Sequence, residues 1–265
     1  RRFHRKAMSR LLLVGLHLLL SVAALHTVLV TGATGRTGHL LYGMLQHDPR
    51  VGELRALVTN RTKARQLLNC SRCDESEGIF IGDVTQPASL VAPMHGVDVL
   101  AIAVGVYGGP NQSATQARDV EFTGVENQVA ALGAQAGGTP RRVVLCSSMG
   151  TTDPKAAVGG GSVLFYKLNA EAFLGSSGVG SAIVKPCGLL DVPGGKHALA
   201  VSHDDKLPTF DFTISRADVA RVMAEAALDD SAVNLRFLLC NGKRSDPPTT
   251  DFAGLLRSAR WAWEQ

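Results

Sequence analysis

The chain is poor in aromatic residues, with two Trp, three Tyr and nine Phe among 265 residues. It therefore offers no aromatic-interleaved basic patch on which a nucleic-acid strand would stack and be neutralised. An excess of one charge sign is also missing from most of it. The formal net charge is +4, but Arg1, Arg2, Arg5, Lys6 and Arg10 account for five of the 27 basic residues, and the remaining 22 face 23 acidic ones, a balance of −1. No nucleic-acid partner is expected. Cysteine is sparse as well: Cys70, Cys73, Cys146, Cys187 and Cys240 are odd in number and scattered, which does not read as a disulfide framework. Cys70 and Cys73 form a C-x-x-C, but no second pair and no His at ligand spacing completes a zinc site. The polar stretch NCSRCDESEG around them reads as a surface loop, and no metal is expected.

Long apolar runs are missing too. The longest, LLLVGLHLLLSVAAL, has 15 residues and follows the basic stretch RRFHRKAMSR, whereas a spanning helix needs about 20. A basic stretch followed by a short apolar run has the build of a secretory signal, and cleavage after Ala23 or Ala24 would separate it from the strand that starts at Thr27. Residues 1–26 are expected to be a targeting segment and 27–265 a single domain with no stable membrane insertion. The destination would be a plastid if the source is photosynthetic. An uncleaved anchor, or upstream sequence that is not native, with Met8 as the start and a cytoplasmic protein, remain open alternatives.

From residue 27 onward, short apolar runs alternate with longer amphipathic segments. TVLVT is followed by a helical pattern over 37–47, LRALVT by one over 62–70, VDVLAIAV by one over 118–136, and RRVVLCSS by one over 163–175; GIFIG and SAIVKP are further strands. Such alternation predicts an α/β fold with a doubly wound parallel sheet of six or seven strands. Val97–Val104 is apolar at nearly every position, as a strand covered on both faces should be. Beyond Pro186 the pattern weakens. A helix over Arg216–Leu228 capped by Ser215, a strand over 234–240 and a last helix near 250–263 are expected there, building a small substrate-side lobe. Glycine-rich stretches at 105–111 and 157–162 read as loops at the carboxyl ends of strands, where ligands bind in this architecture.

The sharpest signal is VLVTGATGRTG, in which Gly32, Gly35 and Gly38 are spaced G-x-x-G-x-x-G between a strand and a helix. Such glycines allow a tight turn, close approach of backbone to a pyrophosphate, and close helix-to-strand packing. The helix N-terminus then offers free N–H groups and a positive dipole end to the phosphates. Thr34, Arg36 and Thr37 lie in the same turn. The second strand ends ALVTNRTKA, without the Asp or Glu that accepts a hydrogen bond from the ribose 2'-hydroxyl of NAD. Arg36 and Arg61, with Lys63 nearby, would instead hold the 2'-phosphate of NADP, so NADP(H) is expected over NAD(H).

With FIGDVTQPASL, GVDVLAIAVG, VEFTGVENQVAALGAQAG, VVLCSSMG, YKLNAEAFL, VKPCGLLD and ISRADVARVMAEAAL following in order, the chain resembles an atypical short-chain dehydrogenase/reductase of the NAD(P)-binding, NmrA-like ("SDR a5") group over residues 27–257. The resemblance implies a Rossmann fold. It also places Asp83 and Val84 beside the adenine, Ala103, Val104 and Gly105 along the adenosine ribose, and Pro186 and Gly188 beside the nicotinamide. Ser147 and Ser148 fall at the family's catalytic serine.

One family element is absent. Superfamily reductases carry Tyr four residues before Lys, where the ammonium lowers the phenol pKa; counting back from Lys167 gives Val163. Tyr166 is adjacent in sequence and points about 100° away on a helix. Lys167 would bind the nicotinamide ribose, and Glu171, one turn on, is expected to pair with it. The missing Tyr argues against a sugar-nucleotide epimerase or dehydratase. Two readings remain: an NADP-dependent oxidoreductase on an unidentified small carbonyl-type substrate, with Lys167, Ser147 and Ser148 in the chemistry, or a non-catalytic NADP(H)-binding redox sensor or regulator.

Overall fold

A computed structural model describes residues 25–106, 113–135, 141–152, 161–206 and 212–261. Strand β1 (His26–Thr31) leads to α1 (Gly38–Gln46), β2 (Val51–Val58), α2 (Arg61–Leu67), β3 (Ile79–Ile81), α3 (Val91–Met94) and β4 (Val99–Ile102). Next come α4 (Ala114–Arg118), a π-helical turn (Asp119–Thr123), α5 (Gly124–Gly133), β5 (Arg142–Cys146), α6 (Gly161–Ser176) and β6 (Gly180–Pro186). The remainder supplies β7 (Gly188–Leu190), β8 (Leu199–Ser202), β9 (Thr213–Ser215), α7 (Arg216–Leu228), β10 (Leu235–Asn241) and α8 (Phe252–Ser258).

Eight strands form one sheet in the order β3-β2-β1-β4-β5-β6-β10-β8, and β7 pairs with β9 in a separate parallel ribbon. All pairings in the large sheet are parallel except that of β8 with β10. The doubly wound parallel sheet expected from the alternation is present, and the antiparallel edge strand β8 takes it one strand past the expected six or seven. Alternate side chains feed two cores. Val28 and Val30 pack with Leu41, Leu45, Val219 and Met223 on one face, whereas Leu29 joins Val125, Val129 and Leu174 on the other. β4 is buried at all four positions because helices cover both its faces. Ser215 caps α7 by accepting the N–H groups of Ala217 and Asp218, as its position ahead of the apolar pattern predicted.

Several expectations change at the edges. The helix expected over 118–136 is α4, the π turn and α5 in succession. The strand expected over 97–104 is cut to 99–102, because residues 103–106 leave the sheet. The last helix covers 252–258, with 262–263 outside the described residues. Most of the two glycine-rich stretches, and residues 1–24 of the signal-like segment, also lie outside them. Among the described residues no helix is long and apolar enough to cross a membrane.

The cysteine reading is corrected. Cys70 is joined to Cys73, and Cys187 to Cys240, leaving Cys146 as the free thiol. Cys187 and Cys240 are 53 residues apart, yet the parallel register of β6 and β10 sets Pro186 beside Leu239 and brings the next pair of Cα atoms to 5.1 Å. Linear spacing carries no trace of that neighbourhood.

Candidate functional site

Strand order reverses between β1 and β4, where β2 and β3 extend the sheet one way and β5 and β6 the other. Crevices that bind ligands form at the carboxyl ends of strands flanking such a point. Gly32 leaves β1 with φ +72°, and a Cβ on it would sit 2.6 Å from the Ala103 carbonyl oxygen, so neither its conformation nor its space admits a side chain. Its own carbonyl accepts the Gly35 N–H at 2.7 Å and abuts Gly38, leaving no room for a Cβ there either. The turn therefore seats α1 directly on the end of β1. Thr37 makes no side-chain cap on α1 and no acidic residue lies in its first turn, so the positive end of the helix is unopposed.

A cleft of about 520 Å³ opens here, within the range of small-molecule and cofactor sites. Gly32, Thr34, Gly35, Asp83, Val84, Ala103, Val104 and Gly105, all expected from the sequence, line it. Asp83 also holds its own turn, accepting from the amide and hydroxyl of Thr85 at 2.9 Å. Among residues with no assigned role, Leu57, Val58 and Thr59 at the end of β2 complete one wall and Val106, Gln116 and Val120 another. The β2 residues follow from the expectation that the second strand ends at the cofactor; Gln116 and Val120 come from a helix and a π turn that the sequence pattern does not separate.

The other expected residues lie around the cleft. Thr37 and Gly38 are buried behind the turn. Arg36 is exposed, with Nη1 3.5 Å from Asp191, which also accepts from Arg216 at 2.7 Å. Arg61 opens α2 and lines a shallow hollow with Asp74. Pro186 ends β6 and Gly188 begins β7. Ser147 is buried and its hydroxyl donates to Glu171, while Ser148, next to it, is partly exposed. Val163 is buried, and the Tyr166 ring meets Phe165 edge-on.

The expected Lys167–Glu171 pair is corrected. Glu171 is 2% exposed and accepts from Ser147, from the Thr151 hydroxyl at 2.9 Å, and from Arg236 Nη2 at 2.6 Å. Lys167 turns the other way and places Nζ 2.7 Å from Glu121 Oε2. Residues four apart share a helix face, but a buried carboxylate is held by its tertiary partners, here from the segment after β5 and from β10. Burial works to lower the Lys167 pKa, and the adjacent Glu121 charge overcomes it and holds the ammonium above its usual value. Burial pushes the Cys146 thiol up, away from a reactive thiolate. Cys70, Cys73 and Glu77 lie close together, but the two thiols are joined and Glu77 accepts the N–H groups of Ser71, Arg72 and Cys73, so they do not suit a metal ion.

A family model described as NAD(P)H-binding matches residues 32–230. An uncharacterized chloroplastic protein of Arabidopsis thaliana is 33% identical over 249 residues, covering 86% of this chain and 74% of the relative. The sanguinarine reductase of Eschscholzia californica is 30% identical over 247 residues, covering 80% and 87%. Among solved structures, a putative NAD-dependent epimerase/dehydratase from Bacillus halodurans superposes with a TM-score of 0.70 over 88% of this chain and 99% of the other. At 23% identity that likeness is one of fold.

Proposed function

Because the chain belongs to the NAD(P)H-binding family, we propose that it is an NADP(H)-dependent oxidoreductase acting on a small carbonyl-type acceptor. The observation that carries the reading is the cleft at the β1/β4 switch point, closed on one side by a turn in which Gly32 and Gly38 admit no side chain. The resemblance to a sanguinarine reductase adds weight to reductive chemistry. NADPH, when bound, supplies the hydride. The residues in the turn and the start of α1 bind the pyrophosphate, Asp83 and Val84 border the adenine, and Lys167 holds the nicotinamide ribose through its ammonium.

The NADP preference rests on the end of β2, where Val58 and Thr59 face the cleft and no carboxylate does. Arg61 opens α2 just past that end and Arg36 lies in the glycine turn with Asp191 as its neighbour; two charge-assisted bonds from them to the 2'-phosphate at about 1.5 kcal/mol each would give NADP about a hundredfold advantage. The relative described as chloroplastic supports a plastid destination, with residues 1–26 as the targeting segment and 27–265 as the domain; a fluorescent fusion of the whole chain that stays in the cytosol would refute it.

The second reading, a cofactor-binding sensor without turnover, draws on Val163 in place of the proton-donating Tyr and on the Ser147 hydroxyl committed to Glu171. Steady-state NADPH oxidation against a panel of carbonyl compounds decides between the two. Slow but saturable turnover with at least one compound is expected; tight NADPH binding with no turnover across the panel would leave the sensor.

A further inference from the structure

We infer that Glu121, to which the sequence assigned no role, is the positioning residue of this site: its carboxylate clamps the Lys167 ammonium to the backbone leaving β4, so that the lysine meets the dinucleotide as an oriented cation. The inference rests on the reading of Lys167 as a cofactor-binding residue and extends it. Glu121 sits in the π turn between α4 and α5, with its side chain 2% exposed. Its Oε1 accepts the Val106 N–H at 2.7 Å and its Oε2 contacts Lys167 Nζ at 2.7 Å. A Cβ on Gly105 would come within 3.2 Å of Oε1, so the glycine lets the carboxylate approach this backbone. One buried side chain thus links the wall of the cleft at Gly105 and Val106 to α6, the helix that follows β5.

The local backbone explains how the carboxylate arrives there. A π turn changes the angular phase of a helix, and such turns recur at functional sites. Here it separates Val120, which lines the cleft, from Glu121, which points behind it. Val120 and Glu121 serve the same wall from two sides.

The lysine has few other partners that set its charge. Facing it are the Cys146 carbonyl at 3.5 Å and the Cys146 thiol from β5, with Glu171 on its own helix and Arg216 of α7 acting on the same thiol. Glu171 is committed to Arg236, Ser147 and Thr151, which leaves Glu121 as the carboxylate in direct contact. An ammonium has three N–H donors. Glu121 takes one and the Cys146 carbonyl at most another, so the direction of the group is set while a donor remains for a ribose hydroxyl.

The test is NADPH affinity measured by fluorescence titration between about pH 6.5 and 9.5, for the whole protein and for Glu121→Gln, Glu121→Asp, Lys167→Met and the Glu121→Gln/Lys167→Met double variant. The unaltered protein should bind evenly across that range. Glu121→Gln should bind about tenfold more weakly at the low end and weaken further as pH rises, because a buried lysine without its counter-charge sheds its proton. Glu121→Asp keeps the charge and should keep the flat profile, and a pH-dependent loss in it would still overturn the role if Glu121→Gln fails to fold. In the Lys167→Met background Glu121→Gln should change nothing more. A flat, undiminished Glu121→Gln profile, a Glu121→Gln effect that persists without the lysine, or a pH-dependent loss in Glu121→Asp would overturn the role of Glu121. Lys167→Met binding as well as the unaltered protein would instead overturn the reading of Lys167, and the inference with it.

Discussion

Gly32, Gly38 and Gly43 lie within twelve residues of one another and answer to different constraints. A Cβ on Gly32 meets the Ala103 backbone and one on Gly38 meets Gly32, whereas one on Gly43, midway along α1, meets nothing within 4 Å. Gly32→Ala must accept both a left-handed backbone and a collision with main chain, so it should lose about 3 kcal/mol of stability or fail to fold. Gly43→Ala should gain about 0.5–1 kcal/mol. Urea unfolding of the two variants checks both signs. Asp205 is constrained by charge rather than by space. It contacts the ammonium of Lys185, which is 1% exposed, at 3.0 Å, and accepts the N–H groups of Gly150 and Thr152 at 2.7 and 2.9 Å. Burial acts to raise its pKa, but the Thr152 hydroxyl, those amides and Lys185 prevail and hold it below the usual carboxylate range. A depressed folded-state pKa contributes stability above the unfolded value, near about 3.9, and loses it as pH falls through the folded value. Asp205→Ala should therefore cost about 3–5 kcal/mol at neutral pH, since it strands a buried lysine, and the gap from the unaltered protein should narrow in acid. Unfolding free energies at neutral pH and near pH 3 test this; a gap that widens in acid would contradict it.

At the scale of elements, the ends of β6 and β10 are held by the Cys187–Cys240 bridge, and the Cys187 N–H also donates to the Leu239 carbonyl at 2.9 Å. The bridge closes a loop containing β7, β8, β9 and α7, so it constrains that whole segment in the unfolded chain. Reduction, or Cys187→Ser with Cys240→Ser, should lower stability by about 2–4 kcal/mol. The double variant should be insensitive to added dithiothreitol in the same denaturation experiment once Cys70 and Cys73 are also replaced. Asp191, just beyond β7, joins this segment to the glycine turn after β1 by accepting from Arg36 and Arg216. Arg36→Ala should weaken NADPH binding about tenfold and leave NADH binding nearly unchanged; equal losses for both would mean that the arginine acts through Asp191 rather than through the 2'-phosphate.

Across the whole molecule, the sheet divides the interior into two cores, and the cleft lies where elements of both converge on its carboxyl edge. A ligand that bridges them stabilises the native state by its binding free energy. NADPH at a hundred times its dissociation constant should add about 2.7 kcal/mol, which for a chain of this size raises the thermal midpoint by about 5–10 °C. NADH at the same concentration should raise it less. Differential scanning fluorimetry gives both numbers, and an equal shift for the two nucleotides would remove the NADP preference while keeping the cofactor site.

The alternation of strands and helices, the glycine turn between β1 and α1, the Ser215 cap and the lack of an acid at the end of β2 follow from the order of residues alone. Each of these is a local matter: a period of 2 or 3.6, a glycine spacing, one residue beside another. Partnership between distant side chains, by contrast, emerges only when the chain is folded. Glu171 is one helical turn from Lys167 and answers instead to Arg236, Ser147 and Thr151, while Lys167 is held by Glu121 across 46 residues of chain. Cys187 found Cys240 through the register of two parallel strands. Buried charges and thiols take their partners from whatever elements the sheet brings alongside, because an unpaired charge in the interior costs more than any exposed pair along a helix can return. Strand order sets those neighbours, and adjacency in sequence does not encode it.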